Sequence, residues 1–295
     1  MNRCVIIDIG SNTVRFDVFH YDEDGFCKHD SKTTNIGLIS YIKDHHLSSE
    51  GLERVRQVLD EYDQYFRDNN LTEVMAFITA SGRDIDNTEE FKQLIRSYGY
   101  PVDVLSSDEE ATLDFEASMI GCEDNDGCLI DIGGGSTEIV PFEQRKPVAL
   151  NSLPYGSLRM THEYDDPMQM KLKCSQLLEN IKGCKQEYHS LLGVGGTIRA
   201  CQRFTHKTIQ GSQVITIDDL YRMIDSWINK DEMYEERAPL IKKERQLSMM
   251  GGLAILIAIM EHFHAEKIQI ARFAVATGYF LSKHPNVKPH FNPNL

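Results

Sequence analysis

The sequence lacks the features that would mark a general nucleic-acid or membrane protein. Acidic residues outnumber basic ones, 45 to 31, and the net charge is −14, so the basic surface of a nucleic-acid or anionic-membrane binder is missing. The longest apolar run, near residues 253–260, is too short to span a membrane, and the first ten residues, MNRCVIIDIG, do not form a secretory signal. We therefore expect a cytoplasmic protein that binds neither nucleic acid nor membranes.

Several catalytic and metal-binding motifs are also missing. There is no GxxxxGK[ST] phosphate loop, no HExxH and no GxSxG, which excludes the best-known sequence patterns for nucleotide binding, zinc proteolysis and serine hydrolysis. The seven cysteines contain no CxxC pair. An odd number of cysteines in a chain of this length favours reduced thiols over a disulfide framework.

The residues that are present predict an α/β protein. Hydrophobic residues make up 41% of the 295 residues and charged residues 26%, enough for two domains of ordinary size. Short β-branched runs alternate with segments of helical periodicity, the order expected of an α/β sheet. The predicted strands are 5–9, 14–19, 74–80, 101–105, 129–132, 138–142, 147–153 and 266–271, and the predicted helices are 49–67, 88–97, 107–120, 157–163, 167–188, 217–229, 248–264 and 277–284. The segment SLLGVGGTIRAC (190–201) predicts a further strand, a glycine turn and the start of a helix.

An internal repeat divides the chain. Residues 5–14 read VIIDIGSNTV and residues 128–140 read CLIDIGGGSTEIV, and each is a strand, an Asp-Ile-Gly, a small polar turn and a second strand. Copies separated by about one domain length indicate duplication. We predict one domain over 1–118 plus 281–295 and a second over 119–280, with a site between them that meets both turns.

The glycine turns predict phosphate binding. Glycine has no β-carbon and tolerates positive φ, so successive N–H groups of a turn can face one anion. The candidate turns are Gly10-Ser11-Asn12 and Gly133-Gly134-Gly135-Ser136, and a third, Gly193–Thr197, opens a helix. GVGGT does not make the GxGxxG dinucleotide pattern.

Seven motifs together resemble the exopolyphosphatase / guanosine pentaphosphate phosphohydrolase family, which has the actin-like (ribonuclease H-like) fold. The resemblance covers nearly the whole chain, and the chain looks like the short form of the family, without the C-terminal helical part of longer members. The motifs are DIGSNTVR (8–15), TASGRD (79–84), SSDEEA (106–111), DIGGGSTE (131–138), YGSLR (155–159), GVGGTIRA (193–200) and ERQLSMMGGLAIL (244–256).

This resemblance implies an α/β fold of two actin-like domains with an interdomain cleft, and a Mg²⁺-dependent hydrolase that removes a terminal phosphate. It implies that Glu110 is the general base and that Asp131 and Glu138 hold the metal and position water. It also implies a homodimer. The implied phosphate-binding residues are Gly10, Ser11, Asn12, Thr13, Arg15, Arg83, Gly133, Gly134, Gly135, Ser136, Gly195, Gly196, Thr197 and Arg245.

Glu110 has a structural alternative. Ser107 and Glu110 form an S-x-x-E pattern, which is the signature of a helix capping box. A capping glutamate stabilises the helix start, whereas a general base acts on water, and the sequence leaves both roles open. Two roles are likewise open for Arg15, Arg83 and Arg245. Their side chains could bind phosphate or could simply face solvent.

Four functions fit these residues. The main expectation is hydrolysis of the terminal phosphoanhydride of inorganic polyphosphate, with short chains favoured because the C-terminal helical part is missing. The nearest alternative is hydrolysis of guanosine pentaphosphate with the same residues. An actin-like kinase or ATPase, and a catalytically silent sensor of polyphosphate or nucleotide, are the two further classes.

Overall fold

A computed structural model describes residues 1–205 and 214–293, and its contacts divide the chain into two compact units. Unit 1 consists of Met1–Ile120 and Val275–Leu295, and unit 2 of Gly121–Ala274. Each unit contains a mixed sheet with helices, so the predicted α/β class is confirmed. No described helix is long and apolar enough to cross a membrane.

Unit 1 is built on a sheet with the strand order β3-β2-β1-β6-β7. The first three strands are antiparallel, whereas β1, β6 and β7 run parallel. Its strands are β1 (Asn2–Ile9), β2 (Thr13–Asp22), β3 (Gly25–Asn35), the short pair β4 (Ile42–Lys43) and β5 (His46–Leu47), β6 (Val74–Ile78) and β7 (Val102–Val104). Its α-helices are α1 (Ser49–Asp68), α2 (Ala80–Arg83), α3 (Thr88–Arg96), α4 (Ser107–Ser118) and α12 (Val275–Lys283), and a 3-10 turn covers Leu38–Tyr41.

Unit 2 repeats this arrangement with the strand order β10-β9-β8-β12-β14-β13, and β11 also pairs with β9. The pairs β8–β12 and β12–β14 are parallel. Its strands are β8 (Gly127–Ile132), β9 (Thr137–Glu143), β10 (Lys146–Pro147), β11 (Asn151–Leu153), β12 (Ser190–Val194), β13 (Val214–Thr216) and β14 (Lys267–Ile270). Its α-helices are α5 (Ser157–Glu163), α6 (Pro167–Leu178), α7 (Gly195–Thr205), α8 (Ile217–Asn229), α9 (Glu232–Arg237), α10 (Lys243–Gln246) and α11 (Met249–His262), and a 3-10 turn covers Ala238–Leu240.

Each unit has its own core. In unit 1, Val5, Ile7 and Ile9 of β1 pack with the apolar face of α1. In unit 2, α11 is apolar on every side, and its residues 253–260 are all buried. A helix that is apolar all round belongs inside a domain, which explains the long apolar run seen in the sequence.

Strand β3 and the end of helix α6 differ from the sequence-based prediction because their sequences carry little periodicity. Strand β3 was not predicted, since most of its residues from 28 to 35 are polar and at least partly exposed. Helix α6 ends at Leu178, ten residues before the predicted end. The chain beyond it turns at Gly183, where φ is +70°, and the N–H of Lys182 donates to Oδ1 of Asn151 at 2.8 Å.

The division between the units also lies elsewhere than the sequence suggested. The predicted boundary at 280/281 would cut through α12, whereas the whole helix belongs to unit 1, and the first boundary lies at 120/121. Helix α12 packs against α4. The contact is close because Gly278 has no side chain, and a β-carbon there would collide with the carbonyl of Leu113.

We predict that Gly278→Ala destabilises unit 1. Alanine would favour the isolated helix by about 1 kcal/mol, but the added methyl group would lie 2.8 Å from the carbonyl carbon of Leu113. A backbone carbonyl cannot move aside as a side chain can, so overpacking dominates and the net loss should be about 1–3 kcal/mol. The measurement is the urea midpoint of the transition that unfolds unit 1.

The matched control is Ser282→Ala on the exposed side of the same helix, which should change stability by less than about 0.5 kcal/mol. A Gly278→Ala protein as stable as the parent would show that α12 is free to shift away from α4.

Candidate functional site

The two glycine hairpins have the same closed geometry. In unit 1 the N–H of Gly10 donates to the carbonyl of Thr13 at 2.9 Å, and in unit 2 the N–H of Gly133 donates to the carbonyl of Ser136 at 3.0 Å. Each bond closes a loop of two residues. The N–H groups of Gly10 and Gly133 are therefore engaged inside the hairpins, and anion binding must use the loop residues between them.

The carbonyl groups of the first loop are held by the following segment. The carbonyl of Asn12 accepts hydrogen bonds from the N–H groups of Ile36 and Gly37 at 2.9 and 3.0 Å, and that of Ser11 accepts from Ile39 at 3.0 Å. The N–H groups of Ser11 and Asn12 have no backbone acceptor in the described part of the chain. The loop therefore leaves these two N–H groups as hydrogen-bond donors, and an anion binds to donors of this kind.

The second loop is oriented in the same way by α5. The carbonyl of Gly133 accepts from the N–H of Ser157 at 2.8 Å, and the carbonyl of Gly134 accepts from Leu158 and Arg159, both at 3.0 Å. Gly156 allows this approach, since a β-carbon there would lie 2.5 Å from the carbonyl oxygen of Gly133. Within residues 1–205 and 214–293, the N–H groups of Gly134 and Gly135 have no backbone acceptor.

The repeat places different charges at equivalent positions. In unit 2, Asp131 lies directly opposite Glu138 in the β8–β9 register, whereas in unit 1 the corresponding opposed pair is Asp8 and Arg15. Opposed residues of an antiparallel pair project from the same face of the sheet. Unit 2 thus has two carboxylates where unit 1 has a carboxylate and a guanidinium.

The two acids of unit 2 are buried. Asp131 is 8% exposed and Glu138 is 1% exposed. The hydroxyl of Ser152, on β11, donates to Oε1 of Glu138 at 3.0 Å, so one carboxylate oxygen is held in place. Two carboxylates on one face repel each other unless a cation lies near them, and their oxygen atoms are the ligands that Mg²⁺ prefers.

Glycine is required at the start of α7 because Asp131 lies there. Gly195 has a φ of +88°, and a β-carbon on it would collide with Oδ1 of Asp131. The close approach follows from the sheet, in which Val194 of β12 pairs with Asp131 of β8. The glycines of GVGGT therefore bring a helix N-terminus to the carboxylate.

Arg245 is the basic group of this cluster. A β-carbon at Gly196 would lie 2.5 Å from Nη2 of Arg245, so the guanidinium lies over the backbone of Gly196. Removal of the guanidinium from water lowers the pKa of Arg245 below its ordinary value, and the charge of Asp131 opposes that shift. The structure therefore brings together Asp131, Glu138, Gly195, Gly196 and Arg245.

Thr197 and Arg15 make contacts that the sequence did not reveal. The hydroxyl of Thr197 donates to the carbonyl of Ile132 at 3.0 Å, a bond that joins α7 to β8.

In unit 1, both Nε and Nη2 of Arg15 contact Oδ1 of Asp17, at 2.9 and 2.8 Å. Asp17 therefore competes with any phosphate for Arg15.

Glu110 lies in unit 1 and pairs with Arg83. The carboxylate is 8% exposed, and Nη1 of Arg83 lies 3.2 Å from its Oε2. The same Nη1 donates to the carbonyl of Leu105 at 2.9 Å, so the guanidinium is anchored at the end of β7. An adjacent guanidinium favours the charged form of a carboxylate and fixes its direction.

The predicted capping box at Ser107 and Glu110 is wrong by one residue. The N-cap of α4 is Ser106, whose hydroxyl accepts from the N–H of Glu109 at 3.2 Å, while the carboxylate of Glu109 accepts from the N–H of Ser106 at 2.8 Å. These hydrogen bonds to Ser106 lower the pKa of Glu109. Glu109 therefore caps the helix, whereas Glu110 pairs with Arg83.

Three polar residues near these groups were missed, of which Asp114 and Thr79 are buried and Ser152 is exposed. Asp114 has no exposed surface and follows Glu110 by one helical turn on α4. Thr79, at the N-cap of α2, has its hydroxyl oxygen 3.7 Å from where a β-carbon of Gly10 would be. The third is Ser152. The TASGRD motif pointed to Thr79, whereas Asp114 and Ser152 have no local sequence signal.

A comparison with protein-family models identifies the family of this chain. The model described as the Ppx/GppA phosphatase family matches residues 29–287, which is most of the chain. The protein therefore belongs to the Ppx/GppA phosphatase family, and the resemblance found from the motifs is confirmed.

Relatives of known name support this assignment. The chain is 27% identical over 290 residues to guanosine-5'-triphosphate,3'-diphosphate pyrophosphatase of Vibrio cholerae, a match that covers 92% of this chain and 57% of the relative. The same figures hold for a second strain of that organism. The chain thus spans a little over half the length of the curated relatives it matches.

Solved structures share the fold. An exopolyphosphatase from Cytophaga hutchinsonii has a TM-score of 0.84 at 17% identity, with 98% of this chain and 100% of that chain covered. The Ppx/GppA family member of Aquifex aeolicus has a TM-score of 0.77 at 22% identity, with 96% and 97% covered. The prediction of two actin-like domains is confirmed.

We predict that Ser106→Ala destabilises α4 without changing the role of Glu110. Loss of an N-cap hydroxyl costs about 1 kcal/mol, measured as a urea midpoint at pH 7. The pKa of Glu109 is lower in the folded protein. Its contribution to the free energy of unfolding is therefore complete above the ordinary pKa of glutamate and is lost as the pH falls through its pKa in the folded protein. The difference in free energy of unfolding between Ser106→Ala and the parent should therefore become smaller in acid.

The matched control is Ser107→Ala at the position that the sequence suggested as the cap. Equal destabilisation by the two substitutions would contradict the assignment of Ser106 as the N-cap.

Proposed function

We propose that the protein hydrolyses the terminal phosphoanhydride bond of inorganic polyphosphate and releases orthophosphate. The observation that carries this proposal is the buried Asp131–Glu138 pair, set beside the N–H groups of a glycine loop and Arg245. The acids suit a divalent cation, and the N–H groups and guanidinium suit a phosphate. An acidic protein can bind a polyanion when it carries such local groups.

Asp131 and Glu138 would hold Mg²⁺ in this proposal. Their oxygen donors and their burial on one face of the sheet support that choice over a softer metal. When bound, Mg²⁺ supplies positive charge that offsets the repulsion between these carboxylates and the substrate. Ser152 would keep Glu138 oriented through its 3.0 Å hydrogen bond.

Glu110 would act as the general base. A carboxylate can accept the proton of a water molecule while that water attacks the terminal phosphorus. The bond between phosphorus and the bridging oxygen then breaks, and the shortened polyphosphate leaves with the electron pair. Arg83 would orient Glu110, since its Nη1 joins that carboxylate to the carbonyl of Leu105.

The loop N–H groups would bind phosphate oxygens. Those of Ser11, Asn12, Gly134 and Gly135 are the donors that support this role. Arg245 would add a two-pronged contact of the kind that guanidinium groups make to phosphate. Thr13 and Ser136 follow these donors in the two loops, and Gly195 and Gly196 lie beside Asp131 and Arg245. Arg15 would have to exchange Asp17 for a phosphate.

Guanosine pentaphosphate is the second candidate substrate. The Vibrio cholerae relative, 27% identical over 290 residues, is named as the pyrophosphatase of that nucleotide. Its terminal phosphoanhydride is the same bond, so the same residues would serve, and only the contacts to the remainder of the substrate would differ. A homodimer in the cytoplasm stays a prediction that rests on the family resemblance.

Phosphate release from a panel of substrates tests the proposal. Purified protein with Mg²⁺ is incubated with short-chain polyphosphate, long-chain polyphosphate, guanosine pentaphosphate and ATP. Release from polyphosphate supports the main proposal, and release from guanosine pentaphosphate alone supports the second candidate. Tight binding of polyphosphate without release from any substrate would contradict both and indicate a sensor.

We predict that Glu110→Gln reduces phosphate release by about 10²–10⁴-fold, the usual contribution of a general base. The amide keeps the size of the side chain and can still contact Arg83, so substrate binding and the melting temperature should change little. The matched control is Glu109→Gln, which removes a charge from the adjacent residue and should retain activity. Near-parental turnover in Glu110→Gln would rule Glu110 out as the base.

We predict that Asp131→Asn and Glu138→Gln each raise the Mg²⁺ concentration needed for half-maximal activity by at least about tenfold, because each removes a charged ligand. The measurement is a Mg²⁺ titration of phosphate release at saturating substrate. The control is Glu143→Gln, an exposed acid at the end of the same strand as Glu138. An unchanged Mg²⁺ requirement in both pair variants would contradict the metal assignment.

A further inference from the structure

A second group of potential metal ligands lies in unit 1. Cys4 of β1, Glu73 before β6 and His284 after α12 each place one ligand atom within 4.8 Å of the others. A thiol, an imidazole and a carboxylate form a donor set that Zn²⁺ accepts. The three residues are far apart in sequence, and only the fold brings them together.

The surroundings of His284 fix its ring. Its Nδ1 lies 2.8 Å from the carbonyl oxygen of Phe280, and its Nε2 lies 3.0 Å from Oε1 of Glu73. The rings of Tyr21 and Phe280 pack against it, with centroids 4.7 and 4.6 Å away. A histidine that donates one N–H to a backbone carbonyl presents its other nitrogen as a ligand, which is the usual arrangement at a metal site.

Both ring nitrogens of His284 face oxygen acceptors, although a neutral imidazole has only one N–H. The 3.0 Å contact between Nε2 of His284 and Oε1 of Glu73 therefore needs a further proton or another cation between the two atoms. The second oxygen of Glu73 accepts from the hydroxyl of Tyr21 at 2.9 Å. The carboxylate is thereby oriented with its first oxygen toward His284.

Cys4 completes the set from the buried side. Its side chain has no exposed surface, so an external substrate cannot reach the thiol, which argues against a nucleophilic role. The side chain of Glu73 is 41% exposed, so an ion can enter from that side. Tetrahedral zinc has bonds of about 2.0–2.3 Å, so the three groups would move toward one another by roughly 1 Å on binding.

We propose that Cys4, Glu73 and His284 bind one Zn²⁺, with the fourth position left to water or a small solute. The ion takes the place of the proton between His284 and Glu73, and the thiol of Cys4 loses its proton to become a thiolate ligand. Its effect is structural, because it ties α12 to the first strand of the chain. This site is independent of the proposed hydrolysis.

Zinc binding by the full chain tests the proposal. The purified protein is stripped with a chelator, loaded with ZnSO₄ in the presence of excess Mg²⁺, desalted and measured by elemental analysis. We expect one zinc per chain and a higher melting temperature of the loaded protein. Cys4→Ser and His284→Gln should each weaken zinc binding, measured against a chromophoric chelator, by more than about tenfold.

The matched control is Cys27→Ser, which removes another buried thiol of unit 1 and should leave zinc binding unchanged. Cobalt substitution gives a second measurement on the parent protein, since a thiolate ligand produces an intense charge-transfer absorption in the near ultraviolet. Less than stoichiometric zinc in the parent, no thiolate band with Co²⁺, or equal affinity in Cys4→Ser and the parent would each overturn the proposal.

Glu73→Gln provides a test that remains valid if Cys4→Ser or His284→Gln impairs folding. Its side chain is partly exposed, so the fold should tolerate the change, and zinc affinity should still fall by more than about tenfold. Unchanged affinity in that variant would remove Glu73 from the site and with it the three-residue proposal.

Discussion

The hydrogen bond from the N–H of Gly133 to the carbonyl of Ser136 sets the register on which the candidate site of unit 2 depends. It closes a two-residue loop, and the loop length determines which residues of β8 and β9 lie opposite each other. With this register, Asp131 and Glu138 share a face. A shift of one residue would move every side chain of β9 to the other face, so the acid pair would separate.

The same hairpin in unit 1 has a different electrostatic outcome. Asp8 there is opposed by Arg15, so the position equivalent to Glu138 carries a positive charge. The two hairpins therefore share a backbone register and differ in one of the two opposed residues. Two buried acids on one face of a sheet are costly without a cation, whereas unit 1 has no second acid at this position, and its Arg15 contacts Asp17. The proposed metal requirement thus follows from a single position of the repeat.

The sequence was sufficient for the features that depend on local pattern. The two hairpins, the helices α1 and α8, and the buried α11 all follow from apolar periodicity and glycine placement. The opposition of Asp131 and Glu138 could also be anticipated, because a tight turn between two strands makes flanking residues face each other.

Features that depend on distant contacts could not be anticipated in this way. Two serines followed by three acids permit two frames for the cap of α4, and the observed N-cap at Ser106 decides that Glu109 and not Glu110 is the capping residue. The pairing of Arg83 with Glu110 joins residues that lie 27 apart. Strand β3 is recognised only by its partner β2, since its own residues are largely polar.

The return of α12 to unit 1 has a consequence for synthesis of the chain. Unit 2 is one continuous segment, Gly121–Ala274, between the two parts of unit 1. A ribosome therefore completes unit 2 before it makes the helix that covers α4. During that interval the β-strands of unit 1 are already present, but the surface around Leu113 that receives Gly278 lies open. Unit 1 is the first to begin and the last to be finished.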